Sequence, residues 1–417
     1  RSGDATQLTN TTGFLTDEGS QVDGANGYTV TPLLTIGETL TTSGDLNSNS
    51  TSQFDAAGFY TPVGILDGLG AIELNETTVR VFANHELSEN QGSFYELSDG
   101  QGGTFELRGS RISYFDIDKE TKAIVDSGVA YNQIVGPDGK IVQNLDFLSS
   151  PAGRPDLQGI DRFCSGNLEE GEKFGEGRGT IDDIYFSGEE TGGDFNSVGG
   201  AQFALDVSGR TSEGGTGGTL YQLPFFGRGS FENSTQLDTG TTDYVAFIQT
   251  DDQSPFDADG DGVNEAAPIY LYVGQKVAGS EDFLARNGLT DGKLFVWVTD
   301  DAATNSPAEF NGAGSTLGGR WVLVDNRPLD GGFDTSVLAG TPFTPEPSED
   351  GSTGFDEFGF PTQRNFITQA ENVGAFQFSR PEDVATNPTN PTQVVFASTG
   401  VDTFDVDPVT GNGADTF

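Results

Sequence analysis

The chain has 417 residues, with 64 acidic against 20 basic side chains and a net charge of −44. So negative a surface repels nucleic acid and anionic membranes, which excludes both as stable partners; it suits a salty medium or bound divalent cations. The hydrophobic share of 34%, with 32 Phe, is enough for a packed core and argues against whole-chain disorder.

One cysteine rules out an intrachain disulfide. No apolar run reaches the ~18 residues of a membrane-spanning helix. The chain starts at Arg1, and 59 Gly with no Met fit an extracellular β-protein. We therefore expect a processed chain, located outside the cell, on its surface or in a periplasm.

In chain order, an N-terminal extension covers about residues 1–27, and 10–26 and 41–56 read as loops. Strand signals then dominate: "TTVRVFANHE" (77–86), "RISYFDID" (111–118), "DIYFSGEE" (183–190), "AQFALDV" (201–207), "GTLYQLPF" (218–225) and "DYVAFIQTDD" (243–252). They continue with "PIYLYVGQK" (268–276), "KLFVWVTDD" (293–301), "RWVLVD" (320–325), "AFQFSRPED" (375–383) and "TQVVFAST" (392–399). "GSEDFLARNGL" (279–289) predicts about two helical turns, begun by Ser280 and ended by Gly288. Residues 327–365, rich in Pro, Gly, Ser and Asp, predict a long surface insertion. "FDVDPVTGNGADTF" predicts a strand, a hairpin turn and the start of a returning strand, so we expect the sequence to stop before the natural C-terminus.

Many short strands with Gly-rich turns predict an all-β sandwich, barrel or propeller. "YFSGEE", "FIQTDD" and "VWVTDD" each end an apolar strand on two acids. Strands that present carboxylates at a common rim favour a propeller, although solvated acidic turns explain any one pair equally well. No linker divides the chain, so residues 1–417 are read as one domain.

Four local motifs carry chemistry. In "DADGDGVNE", Asp257, Asp259 and Asp261 alternate before Gly262, as in the first half of a calcium loop. Val263 would add its carbonyl and Glu265 a carboxylate; without flanking helices this is not a full EF-hand. In "FANHELSEN", Asn84 and Glu86 flank the only histidine, His85, and could bind a cation or simply end a strand. In "FSRPEDVATNP", Pro381 biases Arg380 toward an extended backbone, and alternation puts Arg380 and Glu382 on one side. A fixed Arg beside metal-binding carboxylates suits a phosphate; a surface salt bridge reads as well. Cys164 follows an apolar stretch in "IDRFCSGNLE". It is either buried filler or a thiolate among carboxylates, which would favour a transition metal over calcium.

Taken in order, "NHE" (84–86), "RFCSG" (162–166), "YFSGEE" (185–190), "GRGSFEN" (227–233), "QTDD" (249–252) and "FSRPEDVATNP" (378–388) resemble the PhoX-type alkaline phosphatases. The resemblance covers most of residues 28–403. It implies a six-bladed β-propeller with loop and short-helix insertions, here with the last blade incomplete. It also implies an axial site holding two ferric ions and calcium ions with an oxo bridge. Carried over by motif, Cys164 would be the thiolate shared by the irons, and Glu232 and Glu382 metal ligands. Arg380 would hold the phosphate. Glu190 and Glu86 would bind calcium, with Asn84 and Asp252. The chain departs from the family after the cysteine, in "GNLEEGEKFGEGRGTIDD", and in "FEN" where a His-Glu-Ala type of sequence is usual.

These readings predict an exported phosphatase acting on small phosphate esters, without membrane insertion and with oligomeric or surface assembly left open. They also predict that Cys164, Glu190, Glu232, Arg380 and Glu382 converge in one central pocket. Two other readings stand beside it. One is a non-catalytic, calcium-stabilised propeller in a surface layer, matrix or filament. The other is a different propeller hydrolase, such as a calcium-dependent phytase or lactonase, whose site does not call for a lone cysteine.

Overall fold

A computed structural model describes residues 19–20, 24–40, 60–145, 158–192, 198–207, 218–260, 262–307, 309–310, 314–338, 354–400, 404–406 and 413–414. The expected loop at 41–56, most of the N-terminal extension, and Asp261 of the acidic loop lie outside them.

The protein is mostly β, built from several antiparallel sheets. The first large sheet, in the order β1-β2-β5-β6, contains β1 (Leu66–Glu73), β2 (Thr78–His85), β5 (Arg111–Asp118) and β6 (Ile124–Val129). Its chain detours through a ribbon of β3 (Tyr95–Ser98) and β4 (Thr104–Gly109). The second sheet runs β7-β12-β11-β10-β9, from β7 (Gln133–Val135), β9 (Phe163–Glu169), β10 (Ile184–Glu189), β11 (Gly200–Asp206) and β12 (Thr219–Gln222). The short β8 (Gly159–Ile160) joins β4, and β13 (Arg228–Gly229) pairs with β11. The third is a five-stranded meander of β14 (Phe231–Leu237), β15 (Tyr244–Asp251), β16 (Tyr270–Gln275), β17 (Lys293–Thr299) and β18 (Gly319–Val324). Two hairpins follow: β19 (Pro381–Thr386) with β20 (Val394–Ser398), and β21 (Phe404–Val406) with β22 (Gly413–Ala414).

Apolar residues fill the gaps between sheets. Between the first and second lie Phe82, Tyr114, Phe163, Tyr185 and Phe203. Between the second and third, Phe186, Phe226, Phe247 and Tyr272 stack as neighbours, the closest ring centroids 3.9 Å apart. Full burial of one such ring contributes about 1.5–3 kcal/mol. This packing sets β1 against β9, β9 against β14 and β14 against β19, so the leading strands of four hairpins lie side by side.

The structure corrects several local expectations. The helix in 279–289 is a single turn, α1 (Phe283–Arg286), capped by the Asp282 side chain rather than begun at Ser280. In "AFQFSRPED", strand begins only at Pro381. The insertion at 327–365 is not all surface. Phe333, Leu338 and Phe355 bury together, and Asp356 makes a buried ion pair with Arg228 at 2.8 Å. It leads into α2 (Gln363–Asn372), which periodicity missed because its buried face carries Gln363, Asn365, Thr368 and Gln369. The C-terminal hairpin does form, as β21 and β22.

Candidate metal centre

Four hairpins share one frame. In each, the first residue of the leading strand pairs with the last of the return strand: Leu66 with His85, Phe163 with Glu189, Phe231 with Asp251, Pro381 with Ser398. The next pairs are Leu69–Ala83, Gly166–Ser187, Ser234–Gln249 and Val384–Phe396. Each step is three residues on the leading strand and two on the return strand, so each hairpin carries a β-bulge at the same place. Each is also closed alike. The amides of Glu86, Glu190, Asp252 and Thr399 donate to the carbonyls of Ile65, Arg162, Ser230 and Arg380, at 2.9, 2.9, 2.7 and 3.2 Å.

The bulge re-aims side chains. Its first position holds Asp67, Cys164, Glu232 and Glu382 in the four hairpins. The residue just past each return strand is Glu86, Glu190, Asp252 or Thr399. Because the leading strands are neighbours, these positions meet. Donor atoms of Asp67, Glu86 and Cys164 lie within 4.8 Å of one another, as do those of Cys164, Glu190 and Glu232, and those of Glu232, Asp252 and Glu382. The triads share Cys164 and Glu232 and so form one continuous donor chain. Cys164 Sγ is 3.5 Å from Asp67 Oδ2 and 3.6 Å from Glu232 Oε1.

Arg380 closes one end. Its Nη2 donates to Asp252 Oδ2 at 2.6 Å and lies 3.6 Å from Glu382 Oε1. Its backbone is left-handed, φ +48°, not extended as the proline implied. The bulged frame ties its carbonyl to the amide of Thr399. Arg162 sits at the same frame position of the second hairpin, also left-handed at φ +44°, with Nη2 2.8 Å from Glu190 Oε1.

Asn84 braces the second hairpin. Its Nδ2 donates to the carbonyls of Cys164 and Ser165 at 2.9 and 3.0 Å, and its Oδ1 accepts from Tyr185 Oη at 3.1 Å. Through its amide nitrogen it holds the bulge that carries Cys164. His85 is fully buried, with Nδ1 donating to Val63 O at 2.8 Å and Nε2 accepting from Ser113 Oγ at 2.6 Å. Burial, then the Arg111 charge, pushes its pKa down to about 3, so it is a neutral strand-end pin.

Sequence reasoning missed Asp67, whose Asp-Gly step reads as a turn. It also missed the layer below the donors. Ser165 Oγ donates to Asp383 Oδ1 at 2.6 Å, and Asn233 Nδ2 donates to both, at 3.1 and 2.8 Å. These three residues occupy the second bulge position of their hairpins.

The donors repel one another. Burial, reinforced by Glu190 and Glu382, pushes Glu232 up to about 9. Burial pushes Asp252 up to about 8 despite its hydrogen bond from Arg380. Burial, with Glu232, Glu190, Asp67 and Glu86 beside it, holds the Cys164 thiol far above its ordinary range. A bound cation inverts this logic by favouring every deprotonated donor. The set could hold a metal: a thiolate among carboxylates favours a transition metal, and carboxylates alone a hard cation.

The acidic loop is separate from this centre. Asp257, Asp259 and Glu265 bring donor oxygens within 4.8 Å of one another. Asp257 accepts from the amides of Gly260 and Gly262 at 2.6 and 3.0 Å, and Glu265 Oε2 from Ala258 at 2.7 Å. Arg364 of α2 donates to the carbonyls of Asp257 and Ala258, tying the loop to the helix.

Comparison of the chain with protein-family models, curated proteins and solved structures gives no match.

Proposed function

We propose that this chain is an exported, metal-dependent phosphomonoesterase, built as a six-bladed β-propeller around a thiolate–carboxylate centre. One observation carries the reading: a thiol and carboxylates from four hairpins meet beside Arg380. Cys164, Glu232 and Glu382 would hold iron; Glu190 and Glu86, with Asp252 and Asp67, would hold calcium. When bound, the metals supply Lewis acidity and neutralise phosphate charge. The protein's own groups supply orientation. Asp252 anchors one guanidinium nitrogen of Arg380, which leaves the others to donate to phosphate oxygens. Thr399 Oγ1 donates to Glu382 Oε1 at 2.7 Å and fixes that carboxylate. Asn84 fixes the backbone on either side of the thiolate position.

The test is elemental analysis with an assay on p-nitrophenyl phosphate. We expect bound iron and calcium, and hydrolysis that Arg380→Gln lowers by about 100-fold or more, the scale of losing a preorganised charge-stabilising donor. A second reading, a calcium-stabilised propeller without catalysis, is favoured by the separate acidic loop at Asp257, Asp259 and Glu265. Calcium without a transition metal, and no hydrolysis, would select it.

A further inference from the structure

Two arginines border the centre from the same position of different hairpins. Arg162 precedes β9 and Arg380 precedes β19; the matching residues of the other two hairpins are Ile65 and Ser230. Only the two arginines of the four are left-handed, at φ +44° and +48°. For a residue with a Cβ that conformation costs roughly 1–2 kcal/mol, so it is kept where something else requires it. Both side chains remain about one-third exposed, at 34% and 31%. Both are held end-on, through Nη2, by a carboxylate just past a return strand: Glu190 for Arg162 and Asp252 for Arg380. Among the described residues nothing bonds Nη1 of either, and Arg162 Nε is buried with no hydrogen-bond partner. Arg162 holds Glu190 and Arg380 holds Asp252, and both carboxylates belong to the same donor chain.

A one-third exposed guanidinium anchored through Nη2 and unbonded at Nη1 is prepared for an incoming anion. In the phosphatase reading Arg380 serves the phosphoryl group, and Arg162, on a different carboxylate, is left for a second anion. Resting on the phosphatase reading, we propose that Arg162 is a second anion-binding residue, and that the preferred ester carries a second anionic group beside the phosphoryl group: a phosphorylated carboxylic acid or a diphosphate.

The probes are methylphosphonate, a tetrahedral dianion alone, and phosphonoacetate, which adds a carboxylate one carbon away. Neither is hydrolysed, so calorimetric binding to the metal-loaded protein reports anion recognition apart from catalysis. We expect phosphonoacetate to bind at least about 10-fold more tightly, the low end for a charge-assisted hydrogen bond. Arg162→Gln should remove that preference, whereas Arg380→Gln should weaken both ligands together. Arg162→Lys, which keeps the charge in a softer geometry, should retain part of the preference and serves if the Gln variant does not fold. Equal affinities in the unaltered protein would overturn the proposal. So would an Arg162→Gln variant that weakens both ligands alike, because Arg162 would then act only by positioning Glu190. A protein that hydrolyses no ester yet keeps the Arg162-dependent preference would sink the phosphatase reading and leave the anion pair standing.

Discussion

At the scale of the residue, Cys164 is the only soft donor in a hard-donor site. Its Sγ lies among Asp67, Glu190 and Glu232, and among the described residues it is hydrogen-bonded to carboxylates and not to a cationic side chain. Burial and four carboxylates oppose the thiolate, so only a cation stabilises it there. Cys164→Ser replaces a metal-compatible thiolate with an alcohol that stays protonated. We expect the variant to fold, to keep calcium and to lose iron, with hydrolysis down more than about 100-fold, beyond the ~10–100-fold loss typical of a supporting group. Metal content and circular dichroism check this; unchanged iron would remove the thiolate from the centre. The presence of a lone cysteine was legible in the sequence, but its role was not. A thiol in a half-buried position has the same local sequence whether it packs or ligates, and Asp67, a carboxylate that accepts from it, lies 97 residues away.

At the scale of the element, the strands easiest to read were not the ones that matter most. β2, β10 and β15 are apolar return strands, and their boundaries were nearly legible from their β-branched and aromatic runs. The leading strands read "LDGLGAIE", "FCSGNLE", "FENSTQL" and "PEDVAT". They are polar because they carry the donors, and the bulge shifts their alternation by one residue. Close approach of these strands constrains them further. A Cβ on Gly68 would lie 1.9 Å from Gly166 N and 2.5 Å from Ser165 C, both backbone atoms of β9. Gly68→Ala should therefore push β1 from β9 and cost about 3 kcal/mol, at the upper end for overpacking. Gly64→Ala, whose Cβ would meet only Ile36 at 3.9 Å, is the control and should leave stability nearly unchanged. Chemical denaturation of the two variants side by side decides it; equal stabilities would mean that β1 and β9 can separate without cost.

At the scale of the whole molecule, the charge and the centre act together. Glu232 and Asp252 are raised from 4.5 and 3.8 to about 9 and about 8. A raised carboxylate pKa means that the folded state binds more protons than the unfolded one. In chelator, this contribution is therefore neutral below the ordinary carboxylate range and increasingly destabilising as pH rises toward the folded values. Melting temperature should fall from about pH 5 to about pH 9 in chelator, and added calcium should flatten or reverse the slope because it binds the deprotonated form. A flat profile in chelator would mean that these carboxylates are better solvated than their burial implies. No helix among the described residues is long and apolar enough to cross a membrane.

Composition and strand periodicity were enough to determine a β-rich, acidic protein with several strands that end on carboxylates, because both are local properties summed along the chain. The acidic loop at 257–265 was legible for the same reason: its donors sit within nine residues. The donor chain of the centre was decided only by tertiary structure. It draws one bulge from each of four hairpins, and the leading strands become neighbours only when the large sheets pack their aromatic cores together. Ligands that far apart in sequence meet through the fold, and no local pattern encodes their distance.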